Sequence, residues 1–247
     1  FTRDGTDLDI GFGSSNKSSL GTADIFFVLG ATKATKKVYK VANCCVNEAS
    51  LEFDIDGIAT IAWSGMGTII TDETSAPVAT ITEGTGVNDT GNFIRNRLTS
   101  LSLTTAMGGN HPATYDLVLT GGSVTISNNM TFLTPETLGV VNQPLGHVTG
   151  SRSVSGSFTC YLNSEDDSSA ELFENIIEDQ STITNDFTLL FKVGGTSSPR
   201  MEVNLATCHL EVPSHSIDDV ISLETNFHAL PSTIEGTDEI TLKYVGA

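Results

Sequence analysis

Five histidines (His111, His147, His209, His215 and His228) and four cysteines (Cys44, Cys45, Cys160 and Cys208) carry the widest chemical repertoire in this chain. Nucleophilic catalysis needs a Ser, Cys or Thr beside a base. No histidine sits in such a motif, and neither H-E-x-x-H nor G-x-S-x-G occurs. His209 and His228 fall in strand patterns and read as structural, hydrogen-bonded side chains. Asp54-x-Asp56-Gly57 begins like a calcium loop, but Ile58 and Thr60 occupy the positions where further oxygen ligands belong, so it reads as a turn. Glu165-Asp166-Asp167 could hold calcium only weakly, and acids just before a helix have an electrostatic reason to be there. The Gly-rich stretches lack the lysine and following helix of a phosphate loop. The expectation is no enzyme, no cofactor and no metal.

The cysteines point the same way. None is spaced C-x-x-C and two are adjacent, which suits neither a zinc site nor a disulfide framework. Each lies in a strand-like run, so four reduced, buried thiols are expected, with folding inside a cell. The chain begins at Phe1 rather than Met, which leaves a removed leader open.

Strands must position whatever this chain uses. Residues 38–67 carry the longest β-patterned run and the sole Trp. Leu51, Phe53 and Ile55 alternate with Glu52, Asp54 and Asp56, giving one apolar and one acidic face. Asp56-Gly57 is a favoured tight-turn dipeptide, and Ala59, Ile61 and Trp63 then alternate in a core pattern. Residues 41–47 and 55–61 are echoed by 205–211 and 217–223, which reads as a duplicated hairpin unit. Further strands are expected at 23–29, 93–105, 114–119, 123–127, 154–162, 188–193, 201–212, 220–230 and 240–245, with Gly121-Gly122 as a turn. Ser168-x-x-Glu171 matches a capping box, followed by an apolar stripe at Leu172, Phe173, Ile176 and Ile177. The fold class is therefore all-β: a sandwich or barrel of about ten strands with one short packed helix. Residues 1–22 read as an N-terminal arm and 23–247 as one β domain. Within it, 68–92 forms a long interaction loop that orders against neighbouring subunits.

Twelve Lys and Arg stand against 30 Asp and Glu, a formal net charge of −18. Gripping a phosphate backbone requires cations that displace counterions, so nucleic-acid binding is excluded while a surface that must not stick to nucleic acid is not. Lys33, Lys36, Lys37 and Lys40 form the one basic cluster and read as an exposed strand edge. No run approaches the ~18 apolar residues of a membrane-spanning helix.

Residues 49–65 (ASLEFDIDGIATIAWSG) and 152–162 (RSVSGSFTCYL) resemble the tail tube, or major tail, proteins of long-tailed bacteriophages. The order of parts agrees: hairpin, long loop, Ser/Thr-faced strands, one helix, returning strands. The resemblance implies a virion structural protein whose rings stack into a conduit for DNA ejection. Rings of six are implied, or of three if the duplication is real, with other tail proteins as partners. It implies a protein folded in the host cytoplasm and located in the virion tail, with no membrane contact. DNA passes through it without specific binding. The wall of such a channel should lack Lys and Arg. Three strand faces qualify: Glu52 with Asp54; Ser155, Ser157 and Thr159; Ser222, Glu224 and Asn226. An adhesive or carbohydrate-binding surface sandwich is the alternative.

Overall fold

The computed structural model describes residues 2–4, 7–10, 20–30, 37–74, 94–105, 111–133, 146–178, 187–217, 221–234 and 236–246. Strands are numbered along the chain. One antiparallel sheet runs β5 (Thr60–Met66), β4 (Lys37–Asp54), β9 (Leu119–Ser127), β12 (Ser153–Tyr161) and β16 (Ile221–Ala229). β15 (Ser214–Ile217) and the end of β14 (Arg200–Leu210) lie beyond β16. A second sheet runs β8 (Thr114–Asp116), β7 (Ser100–Thr105), β13 (Phe187–Val193), β14, β17 (Thr241–Val245), β2 (Asp7–Ile10) and β1 (Thr2–Asp4). β14 serves both, because its first half pairs with β17 and its last residues pair with β16. The all-β architecture expected from alternation is present, and the described residues hold 17 strand segments rather than about ten. The extra ones are mostly three to five residues long, too short to show a period in the sequence.

The apolar side chains of the two sheets meet in one core. Leu51, Phe53, Val124, Phe158, Leu223 and Phe227 come from the first sheet, and Leu103, Leu189, Phe191, Val203 and Leu205 from the second. Phe191 sits 5.2 Å from Phe53 and 5.9 Å from Phe227, tying the sheets ring to ring. Gly121-Gly122, expected to be a turn, instead lies inside β9. A Cβ on Gly122 would sit 2.6 Å from the Ser157 carbonyl oxygen and 2.8 Å from the Phe53 ring. The glycine is there to admit an aromatic ring from the neighbouring strand.

Helix α1 (Ser169–Glu178) closes one side of the sandwich, with Leu172 buried and Phe173 and Ile176 packed on the core. The capping box forms only in part. Glu171 accepts the Asp167 backbone N–H at 2.7 Å, but the Ser168 hydroxyl donates to the Asn163 carbonyl instead. Asn175 donates to the buried Tyr115 hydroxyl and fastens the helix to β8.

The first half of β4 leaves the sandwich. It pairs on one side with β3 (Ala23–Leu29) and on the other with β6 (Ile69–Glu73), making a three-stranded arm. Thus 68–92, read as a loop, supplies a strand at 69–73, while 75–93 lies outside the described residues. Residues 1–22, read as an arm, supply β1 and β2, which extend the second sheet along β17. The reading of the lysines changes too: Lys37 and Lys40 lie on the arm's central strand, not an edge, and pair with Asp72 and Asp24. Lys33 and Lys36 lie outside the described residues. A smaller hairpin joins β10 (Thr131–Leu133) to β11 (Gly146–Val148).

Trp63 does not enter the core. It stands on the inward side of β5, which among the described residues pairs only with β4, and its ring is 57% exposed. Ile55 is likewise exposed, because β4 ends one residue earlier. The echoed segments take different places. β4 and β5 form a continuous hairpin, whereas β15 comes between β14 and β16 in the chain and pairs with β16 itself.

All four cysteines are free thiols, with Cys45, Cys160 and Cys208 buried and Cys44 half-buried. Burial pushes Cys160 up to about 11 and Cys208 up to about 12. Folded-state values above the ordinary one stabilise the fold below that ordinary value, and this contribution is lost as pH rises from about 9 toward 12. Thiol titration at pH 8 should find all four groups in denaturant without reductant, and in the native state rapid reaction at Cys44 alone. Fewer than four in denaturant would reveal disulfides.

Candidate functional site

Residues directly opposite in adjacent strands point to the same side of a sheet. Register therefore decides which polar faces belong together. Glu52 stands opposite Ser123, Ser123 opposite Ser157, and Ser157 opposite Asn226. One step along, Asp54, Gly121, Thr159 and Glu224 form a second row. Ser50, Thr125, Ser155 and His228 form a third, and Ser222 stands opposite Tyr161. All eight residues singled out from sequence thus lie on one face of one sheet. The side chains between them, Phe53, Val124, Phe158, Leu223 and Phe227, form the core on the reverse side.

This face is wet and carries no fixed cation. Glu52, Asp54, Glu224 and Asn226 are exposed, and Ser155, Ser157, Thr159 and Ser222 are half-buried. No Lys or Arg occurs in β5, β9, β12, β15 or β16, nor in β4 after Lys40. Sequence reasoning left Ser123 and Thr125 off the list although they alternate as clearly as their neighbours. What was missing was the knowledge that β9 lies between β4 and β12.

His209 and His228 stand opposite one another at the β14–β16 junction, with His228 Nε2 3.4 Å from Glu211. Asn226 donates to Glu211 at 2.9 Å; that bond first, then His228, holds the Glu211 carboxyl below its ordinary value. Among the described residues no group of three or more His, Cys, Asp or Glu is arranged to hold a metal ion. Asp54 and Asp56 line a shallow cleft beside Asn96, which donates to Asp54 at 3.4 Å, so the hairpin end is a hydrogen-bonded turn. No helix among the described residues is long and apolar enough to cross a membrane.

A broad sheet face of carboxylates and short hydroxyls, backed by a dense core, is a surface rather than a pocket. The family model for phage tail tube proteins matches residues 4–234. The chain belongs to that family. Tail tube protein pb6 of Escherichia phage T5 is 32% identical over 206 residues, covering 81% of this chain and 44% of that protein. The chain thus spans less than half the length of this relative. Among solved structures, the SPP1 tail tube protein overlaps 59% of this chain and 76% of its own, at 11% identity and a TM-score of 0.40. The tail protein of an empty GTA particle overlaps 53% and 92%, at 15% identity and a TM-score of 0.35. The tail tube family is structural rather than enzymatic and its members are components of the virion tail, in keeping with the absence of catalytic motifs from the sequence. It does not favour the adhesive alternative.

Proposed function

We propose that copies of this chain close into rings, that the rings stack into a phage tail tube, and that the cation-free sheet face lines the channel through which DNA passes. One observation supports the reading: three strand faces chosen from sequence for lacking Lys and Arg are aligned by cross-strand pairing on the same side of one sheet. Carboxylates there repel phosphates, and short hydroxyls hydrate without offering a counterion-displacing charge. The reverse side is core, so this is the side of the sheet left to face a channel.

Ring closure needs lateral contacts. Among the described residues the outer edge of β5 is unpaired, and its uncharged sequence TIAWSGM includes Trp63. An uncharged open edge is a template for another strand, and an exposed Trp is a favoured interface anchor. At the far end of the same sheet β15 is the last strand among the described residues. Pairing β5 of one copy with β15 of the next continues the sheet around the channel. We propose six copies per ring; three is the alternative.

Negative-stain electron microscopy of the purified protein, with sedimentation across a concentration series, tests this. Hollow tubes above a critical concentration are expected, and end-on class averages count the copies. A monomer at every concentration contradicts the proposal.

A further inference from the structure

Three carboxylates crowd one end of the polar face. Glu52, Asp54 and Asp56 line a cleft of about 560 Å³ together with Asn96 and with Ser157 and Thr159 of β12. That volume lies within the range of small-molecule sites. Among the described residues no Lys or Arg lines it; Arg97 borders a smaller cleft that shares Asp54 and Asn96. Asn96 is only 6% exposed, and its Oδ1 has no hydrogen-bond partner. Its Nδ2 reaches Asp54 Oδ1 at 3.4 Å, long for a bond to a carboxylate. The two ends of a carboxamide have the same shape, so turning it over costs no packing and brings Oδ1 beside the Asp54 carboxylate. Two acceptors then face each other, and an N–H donor placed between them satisfies both.

We propose that this cleft binds an aliphatic polyamine, with Asp54 and Asn96 sharing one ammonium group and Glu52 or Asp56 taking the next. A divalent metal ion is a poorer occupant. It needs oxygens converging within about 2.0–2.6 Å of one point, and no group of three or more His, Cys, Asp or Glu is so arranged among the described residues. The carboxylates are spread instead. Glu52 and Asp54 alternate on one strand, so their backbones stand about 7 Å apart. That separation resembles the distance between neighbouring nitrogens in a three- or four-carbon diamine. Linking the ammonium groups makes the second contact intramolecular, so exposed ion pairs that are weak singly add up. The Ser157 and Thr159 hydroxyls offer acceptors for the remaining N–H groups. The site belongs to the single chain and needs no ring; only its place on a channel wall rests on the tube reading. There a triamine leaves the cleft near neutral, easing repulsion between copies while presenting no net positive charge to phosphate.

Isothermal titration calorimetry of spermidine into the unassembled chain tests it, at 0.15 M salt where the screening length is about 8 Å. One saturable site with a dissociation constant below about 1 mM is expected. Butylamine, with a single ammonium group, should bind at least about tenfold more weakly. Asp54→Asn with Asp56→Asn should weaken spermidine binding at least about tenfold. Both positions are exposed, and the new side chain at 54 still offers Asn96 an acceptor, so β-rich circular dichroism should be unchanged. Glu48→Gln with Glu224→Gln removes the same charge from the same side of the sheet outside the cleft. That pair should change binding by less than about twofold, as screened surface charges do. Equal weakening by the two pairs, absence of a saturable site, or displacement of spermidine by equimolar Mg²⁺ overturns the polyamine site. Whether wild-type protein forms tubes is read separately and bears only on the tube reading.

Discussion

Tubes built from the Asp54→Lys, Glu224→Lys double variant should assemble but pass DNA slowly. The two residues belong to one cross-strand row, Asp54, Gly121, Thr159 and Glu224, so the substitutions place two cations on the same level of the channel wall. Each replaces −1 by +1, and every copy in the ring repeats the change. Lysines facing a polyanion release its counterions, and each phosphate contact steepens the salt dependence of binding by close to one unit of logarithmic slope. A conduit that binds its cargo holds it. Infectivity should fall by about tenfold or more at low salt, since several contacts act together. Recovery should follow as ionic strength rises toward 1 M, where the screening length shrinks to about 3 Å. Both side chains are exposed, and the loss of Asp54 as acceptor for the buried Asn96 should cost only about 1 kcal/mol of stability. Wild-type ejection rates at low salt would place this face outside the channel.

Phe227→Ala should cost about 3–5 kcal/mol of folding stability, the usual range for deleting a fully buried aromatic ring. Phe227 has no exposure and lies between Phe158 at 6.5 Å and Phe191 at 5.9 Å, so it joins both sheets. Its neighbours cannot easily collapse into the gap. Gly156, beneath the ring, has been left bare to admit it: a Cβ there would meet the Ser123 carbonyl oxygen at 2.0 Å and Phe227 Cζ at 2.6 Å. Gly156→Val should accordingly destabilise as well, through overpacking against fixed backbone. Urea unfolding below the assembly concentration measures both. A loss under about 1 kcal/mol for Phe227→Ala would mean that the two sheets are not held by this aromatic cluster.

Alternation was legible because each strand of the first sheet has one dry and one wet side, and that imprint survives in sequence as period two. It yielded β12 and β16 nearly in full and the end of β4, and with them the eight face residues. Register was not legible. That Glu52 and Asn226 share a row depends on β9 and β12 lying between their strands, a long-range pairing no local pattern records. Gly121-Gly122 was misread because glycine marks turns far more often than it makes room for a ring such as Phe53. Trp63 was misread for a related reason: its alternation is correct for the inward side of β5, but among the described residues the sheet ends there. The arm was hidden because its ion pairs, Lys37 with Asp72 and Lys40 with Asp24, join residues distant in sequence and look like loose charge.

The central claim is that the face carrying Glu52, Ser123, Ser157 and Asn226 lines the channel. A cryo-electron microscopy reconstruction of the assembled tube, at a resolution that traces strands and large side chains, tests it directly. The expected map shows β4, β9, β12 and β16 as the innermost layer, with these side chains projecting toward the axis and Phe158 and Phe227 behind them. A map with that sheet on the outer surface, or with Lys or Arg side chains crowding the channel wall in its place, would contradict the account.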